Sequence, residues 1–435
     1  ILQTTNSSIV GFSVSNQSGS NSWNEYKGIN CQNTAQGVSL QGTSATYYDE
    51  GNKIASSISE QMIIGGESEN DIGGAFEVSG IYANFQKNLN IEGAVVRNIF
   101  TNGAFALYGI RIVDCTGTII LNRNNVNRLK NISTTTYGFV TGVFTSGSVA
   151  TTVYKLTNNF ISDLATMYMS GYNTQFVTGC YLNHTGSTNF VYYNSIVIAP
   201  SPNLSSAAMY SVLGQTYLKN NVLINNSYGN NNINHRYSLH LGSSTLTESN
   251  YNCLKADLSG LNSFLVKSSA GINYSNLNAW RTASGNDLNS IELNPDFVSS
   301  TDLHIQSNSF KIDRKGIHVP GIYYDIDGLT RDTLSPDIGA DDHKPMSNGI
   351  DIGVYNIAGI DNLDCFGTNE QVSIKLTNTG VNTHDFTLNP IEIQLIYTGA
   401  YSGMVNYIVN GGILNSYQDT SVLIPNYFNF SGGYL

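Results

Sequence analysis

The chain reads as all-β: a parallel β-helix followed by a β-sandwich. Four stretches repeat one pattern, Leu121-Asn-Arg-Asn-Asn125-Val, Leu156-Thr-Asn-Asn159-Phe, Tyr192-Tyr-Asn194-Ser-Ile and Leu218-Lys-Asn-Asn221-Val, with Asn98 in Val96-Arg-Asn-Ile99 as a fifth member. The aligned asparagines recur roughly every 27 to 35 residues, a loose period that marks stacked coils. The remaining sequence up to about residue 260 is short apolar or alternating runs separated by Gly, Asn, Ser and Thr, with no apolar stripe at helical spacing. Beyond residue 349 the runs lengthen and alternate cleanly, as strands with one wet face do.

Taken in order, Ile9-Val-Gly-Phe-Ser-Val14, Gly37-Val-Ser-Leu40, Gln61-Met-Ile-Ile64, Gly109-Ile-Arg-Ile-Val113, Thr118-Ile-Ile-Leu121, Tyr137-Gly-Phe-Val140, Ala207-Ala-Met-Tyr-Ser-Val212 and Tyr237-Ser-Leu-His-Leu241 are expected as short strands. A single coil cannot bury its own apolar face, so coils must stack. Asn has a physical task at their corners. It tolerates the left-handed conformation, and stacked side-chain amides can hydrogen-bond from coil to coil. Polar insertions, acidic Glu67-Ser-Glu-Asn-Asp71 and the Asn-rich segment from Asn225 to Arg236, interrupt the repeat where binding faces are expected. Leu277-Asn-Ala-Trp280 predicts a short helix.

Residues 271–342 carry the most specific pattern. Asp287-Leu-Asn-Ser-Ile291, Asn294-Pro-Asp-Phe-Val298, Asp302-Leu-His-Ile305, Ser309-Phe-Lys-Ile-Asp313, Asp325-Ile-Asp-Gly328, Arg331 and Pro336-Asp-Ile-Gly-Ala-Asp341 follow one another. In order and spacing this resembles the closing segment of right-handed parallel β-helix proteins of the pectate-lyase-like superfamily, secreted by Bacteroidetes-type bacteria. Phe310-Lys stands where those proteins have Pro-Ala, and Asp342 where they have Glu. The resemblance implies a right-handed β-helix over residues 1–343 and a secreted location. It does not imply an enzyme. After a linker at 344–349, Val372-Ser-Ile-Lys-Leu-Thr-Asn-Thr-Gly380 resembles a strand and turn of adhesion-related immunoglobulin-like domains of bacterial surface proteins. Residues 350–435 are therefore expected as an Ig-like sandwich, incomplete because about five strands are visible where seven are usual. The chain starts and stops in mid-pattern, as expected of a piece of a larger surface protein.

Charged residues are only 12%, against about 25% in an average soluble protein, while Gly (42) and Tyr (27) abound. Uncharged polar side chains must cover the surface, a habit of extracellular β-proteins. The net charge of −11 excludes nucleic acid and disfavours anionic membranes as partners. No run reaches the roughly 18 apolar residues of a membrane span. The five cysteines, Cys31, Cys115, Cys180, Cys253 and Cys365, lack zinc spacing and are expected as small interior hydrophobes, with a disulfide between coils as the alternative.

Catalytic residues are not evident. Asp114 and Asp163 stand alone, and Arg111, Arg123, Arg128 and Lys130 form the only basic group, whereas lyases and hydrolases of this fold need gathered carboxylates. Tyr168, Tyr172, Tyr181, Tyr192 and Tyr193 are candidate sugar-stacking rings, against the alternative that they pack in the bore or along coil edges. Asp325, Asp327 and Asp332 are candidate ligands for calcium as a cofactor; the alternative is a plain turn closed by Arg331. The histidines show no ligand spacing. The expectation is a non-catalytic extracellular protein acting in adhesion or glycan binding, with a polysaccharide lyase or glycoside hydrolase and a structural spacer as alternatives.

Overall fold

The computed structural model describes the chain except residues 1–9, 16–18, 56–60, 135–137, 150, 168–176, 202–204, 230–233, 344–349, 360–367, 381, 399–401 and 430–435. It divides into two compact units, Ile1–His343 and Lys344–Leu435.

The first unit is a parallel β-helix of three sheets. One full coil runs from Leu107–Val113 in the first sheet to Thr118–Asn122 in the second, Asn125–Asn131 in the third, then Val140–Gly147 back in the first. Each strand pairs in parallel with its equivalent in the next coil: Leu107 faces Val140, Thr118 faces Val153 and Asn125 faces Phe160. Inward side chains such as Ile110, Leu121, Val126, Val143, Leu156 and Ile196 form one continuous core down the bore. Cys31, Cys115, Cys180 and Cys253 are free and buried; Cys365 lies outside the described residues.

The second and third sheets meet at a one-residue corner. Arg123, Asn158, Tyr193, Asn220 and Tyr251 all sit there with φ near +56°. The residue that follows each of them is the repeating asparagine: Asn124, Asn159, Asn194, Asn221 and Asn252, all fully buried. In every rung from Asn124 to Asn221, the backbone N–H and the side-chain Nδ2 both donate to Oδ1 of the next coil's asparagine, at 2.8–3.1 Å. The second Nδ2 hydrogen goes to a carbonyl of the previous coil, as from Asn159 to Leu121 and from Asn194 to Leu156, both at 2.9 Å. The ladder ends on Ser290 and Asp287.

Three expectations are corrected here. The rung of its coil is Asn124, not the half-buried Asn125, and the left-handed residue is the one before each rung, whatever its type. Asn98 belongs to another corner: it is left-handed itself and donates to Gly66 O. The amide fixes the rung because it must donate and accept at once in a dry place. The corner residue can be Arg or Tyr, since the flanking ladders over-determine its backbone.

The helix Leu277–Ser284 starts on the Asn276 cap, whose side chain accepts from Ala279 N–H, and stops at left-handed Gly285. Its Leu277 and Trp280 join the main core, and Trp280 Nε1 donates to Asp287 at 2.7 Å. The chain then runs back over the outside of the third sheet. Leu303, Ile305, Ile312, Ile338 and Ala340 pack on Phe160, Val197, Val222, Ile224 and Cys253. Residues 291–342 therefore clothe a flank rather than finishing a last coil.

Arg331 pins this return. Its Nη2 donates to Asn158, Gly339 and Ala340, its guanidinium stacks 4.1 Å from the Tyr193 ring centroid, and Asp342 lies 3.6 Å away. Nearby, burial pushes the Asp337 carboxyl up to about 7, against the opposing hydrogen bond from His343. Burial pulls His343 down, but Asp337 outweighs it and leaves His343 raised. The folded protein thus holds protons that the unfolded chain has released. That stability is present at low pH and is lost as pH rises, through about 7 for Asp337 and beyond 6.5 for His343. We expect the thermal midpoint of Asp337→Asn, taken relative to the wild type, to rise between about pH 5 and 8, because only the wild type loses the Asp337 contribution there. A difference that stays flat or falls over that window contradicts the account.

The second unit is antiparallel. Ile352–Ala358, Glu370–Asn378 and Asp419–Phe428 form one sheet, Ile391–Tyr397 and Gly403–Val409 a hairpin, and His384–Asp385 pairs with Ile413–Leu414. All three sheets feed one core, with Val372, Ile374, Phe386, Ile393, Leu414 and Ile424. Seven strands are thus present among the described residues of this unit, where about five were expected from sequence.

Candidate aromatic groove and acidic turn

Parallel pairing without slippage carries like side chains to like places. In the first sheet, Arg111 faces Phe144, Phe144 faces Tyr181, Tyr181 faces Tyr210, Tyr210 faces His240 and His240 faces Lys267. Neighbouring strands lie about 4.8 Å apart, the distance at which rings stack. Phe144 stacks on Tyr181 at 5.3 Å, Tyr181 meets Tyr210 edge-on at 5.1 Å, and Tyr210 stacks flat on His240 at 3.9 Å. Tyr108 extends the row, 4.9 Å from Phe144.

These rings floor an open groove of about 680 Å³, edged by Asn183, Ser243 and Ser268. Burial raises Tyr108, Tyr181 and Tyr210, so their hydroxyls stay protonated donors. Burial, with Lys267 and His235 adding to it, lowers His240 to about 3 and keeps it neutral. No Asp or Glu lines the groove among the described residues, and Lys267 is its single standing charge.

The candidate tyrosines separate. Tyr181 lies in the row. Tyr192 is on the second sheet, 5.9 Å from Phe190, its hydroxyl raised to about 12 by burial. Tyr193 is fully buried at the corner beneath Arg331, with its hydroxyl donating to Ile317 O at 2.6 Å, and cannot meet a sugar. Tyr168 and Tyr172 lie outside the described residues. The sequence reading missed Tyr108, Phe144, Tyr210, His240 and Lys267. A signal was there: Gly142-Val-Phe144, Gly179-Cys-Tyr181 and Ala208-Met-Tyr210 each place a ring two residues after a small one.

The candidate calcium ligands also regroup. Asp325 and Asp327 are met in their turn by Asp341 from farther along the chain, one oxygen of each lying within 4.8 Å of the others. Asp332 is not among them; its Oδ1 accepts from Leu334 and Ser335 N–H in a separate turn. Arg331 pairs with Asp342 instead of closing the Asp325 turn. Burial pushes Asp325 up to about 6. His304 bonds Asp327 at 3.1 Å and Asp302; the Asp327 bond leads in raising it to about 9. No helix among the described residues is long and apolar enough to cross a membrane. No family model matches the chain, and no curated protein or solved structure does.

Proposed function

We propose that the solenoid is a non-catalytic glycan-binding module of an extracellular or cell-surface protein acting in adhesion, and that the antiparallel unit is an Ig-like partner domain within it. The observation that carries this reading is the ring row from Tyr108 to His240 in an open groove. Sugar rings present C–H faces that settle on aromatic planes and hydroxyls that bond to their rims, and Asn183, Ser243 and Ser268 supply those rims. Among the described residues the groove has no carboxylate pair of the kind glycoside hydrolysis needs.

The test is a glycan array with the full chain, followed by calorimetry on the best ligand. Tyr181→Ala is expected to weaken binding about tenfold or more, the scale of one lost stacking contact, with the thermal midpoint little changed. An array without hits, or full affinity in Tyr181→Ala, sinks the reading and leaves the spacer role. The Lys267 cation in the groove favours a second reading, elimination on an acidic polysaccharide whose carboxylate it would meet. Unsaturated product absorbance from uronate polymers would support it.

A further inference from the structure

We propose that Asp325, Asp327 and Asp341 form a calcium site that fastens the returning segment to itself. Each carboxylate gives one oxygen to the protein. Asp325 Oδ1 accepts from Asp327 and Leu329 N–H at 3.0 and 2.8 Å, Asp327 Oδ2 takes His304 Nε2 at 3.1 Å, and Asp341 Oδ2 accepts from Ile305 N–H at 2.7 Å. The second oxygens are left over. Asp325 is fully buried, and its Oδ2 has no hydrogen-bond partner.

That orphan is the independent observation. A buried carboxylate oxygen facing no donor is costly, and here two more carboxylates each bring an oxygen within 4.8 Å of one of Asp325's. A cation resolves the conflict. The donors are all hard oxygens, which excludes a soft-metal preference. Oxygens up to 4.8 Å apart can all reach an ion at the 2.3–2.6 Å typical of calcium, while magnesium at about 2.0–2.1 Å demands a tighter octahedron. Asp327 is exposed, so water completes the six to eight ligands calcium takes.

The site joins the Asp325-Ile-Asp-Gly328 turn to Asp341, whose neighbours Gly339 and Ala340 are bonded to Asn220 and Ser195 of the solenoid. Calcium would therefore brace the stretch of the return that these bonds hold to the third sheet. This site is separate from the aromatic groove, and its test does not depend on glycan binding.

Titrating the full chain, freed of metal by chelator, with calcium chloride should give one binding event with a dissociation constant of about 10⁻³ M or tighter. Millimolar calcium should raise the thermal midpoint by at least about 2 °C. Asp327→Asn, at an exposed position that need not disturb folding, should lose both responses, while Asp332→Asn should keep them. A wild-type chain that shows neither response, an Asp327→Asn variant that binds as the wild type does, or magnesium acting as well as calcium each overturns the assignment.

Discussion

Asn194→Ala will cost the solenoid about 3–4 kcal/mol, measured by urea unfolding followed by far-UV circular dichroism. Asn194 Oδ1 accepts from both the backbone and the side chain of Asn159, at 3.0 and 2.8 Å. Its Nδ2 donates to Leu156 O and Asn221 Oδ1, at 2.9 and 3.1 Å. Removing the amide leaves the Asn159 N–H and Nδ2, the Leu156 carbonyl and Asn221 Oδ1 each short of a partner. Asn159, Asn194 and Asn221 are fully buried, so water cannot replace what is lost. An unmet buried group costs about 1–3 kcal/mol, and partial relaxation keeps the total below the plain sum. Asn194→Asp should fare no better, because it keeps the acceptor but loses both donations and brings a charge into the bore. Asn125→Ala is the control. Its side chain only accepts from Asn127 at a half-buried strand start, so it should cost less than about 1 kcal/mol. Equal losses at positions 125 and 194 would remove the ladder from the account.

That pair of positions also marks the resolution of the sequence. A repeat of Asn-Asn ahead of an apolar residue announced stacked coils and a shared corner. It could not say which asparagine of a pair points inward, because one residue of slippage turns every side chain to the other face. The groove was harder to read for a related reason. Tyr181, Tyr192 and Tyr193 are close in sequence, yet they face the groove, the second sheet and the buried corner respectively. In a solenoid, neighbours in space are a whole coil apart in sequence, so side chains assemble by register rather than by proximity along the chain. His240 and Lys267 join Tyr181 only through two and three such steps. The acidic turn shows the same limit: Asp325 and Asp327 were legible as a local turn motif, but Asp341 reaches them only through the fold of the return. The resemblance of residues 271–342 to a closing segment gave no hint that it runs back along a flank.

Gly142→Val will be comparably damaging, at about 3 kcal/mol or more, with Gly142→Ala losing about 1–3 kcal/mol. Gly37, Gly80, Gly109, Gly142 and Gly179 occupy one position in successive coils of the first sheet, and each is pressed against the next coil. A Cβ on Gly142 would lie 2.6 Å from Gly179 O and 2.4 Å from Ile161 Cγ2. The same geometry recurs at Gly80, 2.7 Å from Gly109 O, and at Gly109, 2.6 Å from Gly142 O. A core methyl is the nearest obstacle and a backbone carbonyl the second, and the carbonyl cannot swing aside as a side-chain tip does. Any relief must push neighbouring coils apart or displace Ile161 from the close-packed bore, and either loosens contacts on both sides. These glycines do not have left-handed φ. Close approach, rather than backbone freedom, excludes a side chain. Gly353→Ala in the antiparallel unit has open space around its Cβ and should change stability by less than about 0.5 kcal/mol. Phe144 lies two residues beyond Gly142, so a coil forced apart there should also misplace the ring row. The Val variant should therefore lose glycan binding with stability, while Tyr181→Ala loses binding alone.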